Sequence, residues 1–364
     1  MANFILHIGR HKTGTSSLQK FLSDNRTLLK ERGYHYPFPP HRSRIAHHDV
    51  ASIFGAKRRS TQVELDSEEL ATIQEVLRDA ANSRGSEQVL LSSEGFQNAV
   101  PTLVGKYFEP GRTKIIVYIR EQVEYLISAY QQKVQANQHY LPIQDSVRGL
   151  LTHYDEFLLG WEKVFGRENL KVRVYARQHL KNQDVVVDFL DALGISDTAG
   201  FSFSLEDQNP SIGGSLLEFK RHLNACNLES VHQGRLYRVL SAIASNNLRY
   251  RQKPYLKPNL VEDIRQTCAA SNRRVFDKYF GGEDVFSCSI TKPVAPAKAD
   301  YAADVLDILN QLRTQDPLVF AQISNRLRTV LPELTPILRL QKASPELNVL
   351  SSSMGILNFL NQVS

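Results

Sequence analysis

Two spacings of apolar residues alternate over the first two-thirds of the chain. Short runs of consecutive or every-second apolar positions occur at Asn3 to Ile8, Val89 to Leu91, Lys114 to Ile119 and Leu170 to Tyr175, and each predicts a strand. Between them the apolar positions recur every three or four residues. Leu18, Phe21 and Leu22 form one such stripe, and Leu70, Ile73, Val76, Leu77 and Ala80 another. Val123, Leu126, Ile127 and Tyr130 form a third, and Val185 to Leu193 a fourth. Each stripe predicts an amphipathic helix. Strands that are apolar throughout and alternate with helices predict an α/β fold, a parallel sheet covered on both faces.

From about Ser211 onward only the helical spacing remains. It marks helices at Leu216 to Leu223, Leu236 to Ile243 and Leu260 to Tyr279, and then near Ala302 to Leu312 and Leu318 to Val330. Pro293 and Pro296 interrupt the pattern and read as a linker. The expected organisation is therefore an α/β domain over residues 1–290, with a linker and a separable helical appendage over 291–364.

Composition narrows the class. With 42% hydrophobic and 23% charged residues the chain is of globular type. No apolar run approaches the roughly 18 residues of a membrane helix, and Phe4 to Ile8 is too short for a signal-peptide core. Three cysteines without metal-ligand spacing read as free thiols of a reducing, cytoplasmic compartment, with no metal expected. The net charge of +6 includes no basic run dense enough to predict nucleic-acid binding, the longest being residues 57–59. It suits a pocket for an anionic ligand.

Such a pocket is predicted where the first strand ends. Gly9-Arg10-His11-Lys12-Thr13-Gly14-Thr15-Ser16-Ser17 joins that strand to a helix. Free N–H groups of a helical first turn, a glycine allowing close approach, several hydroxyls and a lysine together make an anion site. Gly9 and Gly14 have the glycine spacing of a nucleoside-triphosphate loop, but Thr15 stands where that motif has lysine, and Lys12 precedes the second glycine. A kinase or ATPase is therefore the alternative reading.

Lys12-Thr13-Gly14-Thr15-Ser16-Ser17 resembles the 5′-phosphosulfate loop, K-[ST]-G-[ST]-[ST], of sulfotransferases that use 3′-phosphoadenosine 5′-phosphosulfate (PAPS). The family's second signature is a strand ending in Arg with a Ser eight residues on. Here it is matched by Ile115 to Arg120 and then Ser128. Ser92-Ser93-Glu94 resembles a segment of the bacterial, glycan-type members, and Asn209-Pro210-Ser211 a polar loop that closes over the donor. The resemblance extends over residues 3 to 285. It implies a P-loop-like sheet and sulfonate transfer from PAPS to an acceptor hydroxyl, in this branch that of a carbohydrate or glycoconjugate. Arg10, His11, Lys12, Thr13, Gly14, Thr15, Ser16 and Ser17 are then expected around the 5′-phosphosulfate. Arg120 and Ser128 are expected on the 3′-phosphate, and Asn209 and Ser211 near the donor. Arg10 and His11 depart from the prolines or small residues common before the lysine. Arg10 reads either as an extra anion ligand or as a salt-bridged surface residue.

Lys12 is expected to stabilise charge on the bridging oxygen. Glu94, at the end of a parallel strand, is the expected base. His48 is its competitor, with His47-His48 read otherwise as an exposed loop pair. The segment Gln131 to Leu141 is expected to face the acceptor. A protein that binds PAPS without turnover is the remaining reading.

Overall fold

The computed structural model describes residues 3–37, 45–55, 64–82, 88–136, 139–150, 153–203, 211–226, 232–287 and 301–330. Residues 57–59, Asn209, the expected linker and the tail beyond residue 330 lie outside these.

The elements run β1 (Asn3–His7), α1 (Thr15–Asp24), α2 (Arg26–Glu31), β2 (Tyr34–His35), α3 (His48–Ile53), α4 (Ser67–Asn82), β3 (Gln88–Ser92), α5 (Pro101–Tyr107), β4 (Thr113–Ile119), α6 (Gln122–Gln135), α7 (Ile143–Ser146), α8 (Tyr154–Phe165), β5 (Leu170–Val174) and α9 (Val185–Leu193). They continue as α10 (Gly214–Ala225), α11 (Gln233–Asn246), α12 (Pro258–Tyr279), α13 (Tyr301–Gln315) and α14 (Pro317–Val330). The chain divides into two compact units. One is made of Met1–Gln122, Thr152–Gln208 and Gln266–Ile290, the other of Val123–Leu151, Asn209–Arg265 and Thr291–Ser364.

The first unit is the α/β layer structure. Its five strands are all parallel in the order β2-β3-β1-β4-β5. Both faces are covered, which is why the strands read as nearly unbroken apolar runs. Phe4, Leu6, Val89, Leu91, Ile115 and Val117 share one core cluster with residues of α3, α4, α5 and α8. The alternate positions Ile5, Leu90, Ile116 and Tyr118 share the other with residues of α1, α2 and α9. The two-residue strand β2, which the apolar pattern does not reveal, pairs Tyr34 with Gln88 at one edge of the sheet.

The second unit is helical. Leu126 and Tyr130 of α6 share a core with Leu216 and Leu217 of α10 and Leu240 and Ile243 of α11. Ile308 and Leu312 of α13 and Ile323 of α14 are buried in the same cluster. The sequence reading sets residues 291–364 apart. In the structure, the described C-terminal helices cover the apolar stripes of α10 and α11, so their burial is mutual.

Candidate active site

Parallel pairing aligns the ends of the three central strands. His7 lies opposite Ser92 on one side and Ile116 on the other. The segments after β1, β3 and β4 therefore leave from one edge of the sheet. The chain passes from β1 toward the β2 edge, and after β3 it crosses to β4 on the far side of β1. Open α/β sheets bind ligands at such a switch in direction.

The loop after β1 is set by its backbone. Lys12 (φ 64°) and Gly14 (φ 75°) are both left-handed. Thr13 donates its hydroxyl to the Arg10 carbonyl at 2.6 Å, closing the turn. The first helical bond runs from Leu18 N to Gly14 O (3.1 Å), so the N–H groups of Thr15, Ser16 and Ser17 precede the intrahelical ladder. No acidic residue in the first turn offsets the positive end of the α1 dipole. The hydroxyls divide by role. Thr13 and Thr15 are buried and bonded within the protein, while Ser16 and Ser17 are exposed.

Arg120, just past β4, reinforces the loop. Its Nη1 donates to the Lys12 carbonyl at 2.9 Å, and its guanidinium lies 5.5 Å from the centre of the Tyr175 ring. Tyr175 also packs on Gly14, where a Cβ would come within 2.9 Å of its Cε2. Nothing in the sequence marks this role for Tyr175, because the contact is made across two crossovers. Tyr154 of α8 donates its hydroxyl to the Arg120 carbonyl (2.6 Å). Arg10 is buried, with its guanidinium over the rings of Tyr154 (5.4 Å) and Phe157 (4.8 Å). It is thus neither exposed nor at the surface, because α8 offers aromatic faces to a weakly hydrated cation.

Glu94 opens a 3-10 turn directly after β3. Its Oε2 accepts from the Thr15 hydroxyl at 2.6 Å, and its Oε1 lies 3.5 Å from His11 Nδ1. The His11 backbone N–H donates to Gln97 Oε1 (3.5 Å). Burial alone would raise the Glu94 pKa. The hydrogen bonds from His11 and Thr15, with the nearby charge of His11 and His48, bring it down to about 2. Burial lowers the Lys12 pKa and Arg120 lowers it further, against an opposing pull from Glu94.

The two histidines of residues 47 and 48 are not an exposed loop pair. His47, the residue before α3, is fully buried. Its Nδ1 accepts from Ser92 N (3.2 Å) and its Nε2 bonds to Pro37 O (3.2 Å), so it ties the chain to the end of β3. Burial depresses its pKa to about 3. His48 is exposed, with Nδ1 hydrogen-bonded to Ser93 Oγ at 2.8 Å. The apolar spacing Val50, Ala51, Ile53, Phe54 after His-His-Asp was the available signal for α3. Nothing in the sequence marks His7 as a site residue. It is buried beneath the loop, hydrogen-bonded through Nδ1 to Ser92 Oγ (2.8 Å), and burial holds its pKa near 4.

Ser128, on α6, and Ser211, ahead of α10, are half-buried residues of the second unit. In the segment expected to face the acceptor, Gln131 and Gln135 are buried and donate to Ile212 O and Ser241 Oγ within that unit. Tyr140 and Leu141 are exposed. Among the described residues no group of three or more His, Cys, Asp or Glu is arranged to hold a metal ion, and no helix is long and apolar enough to cross a membrane.

The site therefore combines a helix-terminal anion cradle, a half-buried lysine, an arginine locked to the loop backbone and an ionised carboxylate bearing an imidazole. No family model matches the chain. It is similar to an uncharacterized protein of Archaeoglobus fulgidus, with 28% identity over 212 residues, 55% of this chain and 56% of that protein. The chain thus spans little more than half the length of that relative. It is also similar to the crystal structure of a sulfotransferase from Alicyclobacillus acidocaldarius, with 18% identity, a TM-score of 0.43, and coverage of 77% of this chain and 96% of that one.

Proposed function

We propose that the protein transfers a sulfonate group from PAPS to an acceptor hydroxyl of a carbohydrate or glycoconjugate. The observation that carries this reading is the tie between the two signature segments: Arg120 Nη1 holds the carbonyl of Lys12 while Lys12 and Gly14 take left-handed conformations. In this reading the exposed Ser16 and Ser17 hydroxyls and the first-turn N–H groups hold the 5′-phosphate. Arg120 holds the 3′-phosphate, and Ser128, Asn209 and Ser211 are assigned to donor binding by the resemblance alone. Lys12 stabilises charge on the bridging oxygen as the sulfur–oxygen bond breaks. Proton removal belongs to the Glu94 edge of the loop, with His48 as the rival group. The kinase alternative is disfavoured because Thr15, at the lysine position of a triphosphate loop, is buried and bonded to Glu94.

Calorimetry against adenosine 3′,5′-bisphosphate, AMP and ATP tests the donor assignment. The bisphosphate is expected to bind best by far, and equal affinity for all three refutes it. A screen of hydroxylated acceptors with labelled PAPS then separates an enzyme from a protein that only binds the donor.

A further inference from the structure

We propose that His11 takes the acceptor's proton, oriented by Glu94 as a histidine–carboxylate dyad; this rests on the sulfotransferase reading above. The geometry is that of a base and its orienting partner. His11 Nδ1 faces Glu94 Oε1 at 3.5 Å, and Glu94 is itself fixed through Oε2 by the Thr15 hydroxyl at 2.6 Å. A carboxylate on Nδ1 selects the tautomer with the proton there and leaves the lone pair on Nε2. The His11 main chain is pinned through its N–H to Gln97. The His11 side chain is 39% exposed, within reach of a ligand from solvent, whereas that of Glu94 is 23% exposed. His11 immediately precedes Lys12, so the proton acceptor and the leaving-group cation issue from adjacent residues of one rigid loop.

The other candidates fit the task less well. Both Glu94 oxygens are engaged, and its pKa near 2 makes it a weak acceptor for an alcohol proton. A strongly ionised carboxylate is suited instead to stabilising an imidazolium. His47 is buried and its ring is committed to Ser92 and Pro37. The described partner of the His48 ring is the Ser93 hydroxyl, not a carboxylate. The charged groups that act on Glu94 are His11 and His48, and those that act on Lys12, the neighbour of His11 in the chain, are Arg120 and Glu94.

The acceptor oxygen bonds to sulfur while the bond between sulfur and the bridging oxygen of the 5′-phosphate breaks, its electron pair remaining on that oxygen. His11 Nε2 receives the hydroxyl proton, and the imidazolium, paired with Glu94, later releases it to water. Adenosine 3′,5′-bisphosphate leaves.

The test uses the full chain and two readouts. The first is single-turnover release of labelled sulfate from PAPS, with water as acceptor, as a function of pH. The second is the tautomer of the His11 ring, read from its nitrogen NMR shifts with adenosine 3′,5′-bisphosphate bound. Wild type is expected to show a rising limb that levels above a histidine midpoint. His11→Gln removes the limb and lowers the rate by roughly 10²-fold or more, a loss larger than any change in bisphosphate affinity. Glu94→Gln keeps the limb but lowers the rate, and changes the His11 tautomer read from the ring nitrogen shifts. The dyad is overturned if His11→Gln keeps the limb, if His48→Ala removes it instead, or if Glu94→Gln leaves both the rate and the His11 tautomer unchanged. A protein that neither binds the bisphosphate nor consumes PAPS defeats the sulfotransferase reading itself.

Discussion

Replacing Gly14 by alanine isolates what the loop backbone contributes. The left-handed conformation at φ 75° costs an L-residue about 1–2 kcal/mol. The new Cβ would also lie 2.9 Å from Tyr175 Cε2 and 3.1 Å from Val185 Cγ1. Overpacking of this kind adds about 1–3 kcal/mol, for a total of roughly 2–5 kcal/mol. Gly33 is the matched control. Its φ is 85°, but a Cβ there meets nothing within 4 Å, so Gly33→Ala should show only the conformational part. Both glycines belong to the first unit, and so does the chain's single tryptophan, Trp161, which is fully buried in a first-unit core. Urea unfolding followed by Trp161 fluorescence therefore reports both variants on one scale. Gly14→Ala should also weaken adenosine 3′,5′-bisphosphate binding tenfold or more, because Tyr175 supports Arg120 as well as the loop, while Gly33→Ala leaves binding unchanged. Equal destabilisation by the two changes, or wild-type affinity in Gly14→Ala, refutes the reasoning.

Arg120→Ala should weaken bisphosphate binding by roughly 10- to 100-fold, the scale of a lost charged hydrogen bond, with a smaller change for AMP by calorimetry. His7 and His47 are held neutral, with folded pKa values near 4 and 3 against an unfolded value near 6.5. Between those values the unfolded chain binds more protons, so stability rises with pH up to about 6.5 and then levels. Thermal melts from pH 4 to 8 should show this slope, and His47→Gln should reduce it. Ile308→Ala should destabilise the second unit by about 2–5 kcal/mol, read from calorimetric unfolding. Ending the chain near Ser289 removes Ile308, Leu312 and Ile323 from that core and should leave an aggregating second unit in sedimentation experiments.

The elements themselves were legible where periodicity was strong. The stripe at residues 185 to 193 coincides with α9, and the apolar runs at 89–91 and 114–119 lie within β3 and β4. Strand β2 escaped because two residues carry no period, and α3 because its histidines masked a short apolar stripe. Lys12, Gly14 and Arg120 were visible as motif positions. Their mutual contact was not, since a sequence does not show a guanidinium reaching a carbonyl across neighbouring strands.

By itself the chain determined its α/β alternation, the glycine-containing loop opening a helix and the placement of a lysine, hydroxyls and a carboxylate near strand ends. These are local consequences of side-chain period and backbone freedom. Only the tertiary structure decided what each group does. It buried Arg10 on aromatic rings, committed Thr13 and Thr15 to the loop while exposing Ser16 and Ser17, and made His47 a staple. It also set His11 against Glu94. The physical reason is that parallel register brings together strand ends that are far apart in sequence, and burial at that edge then determines which polar groups bond to one another and which remain open to a ligand.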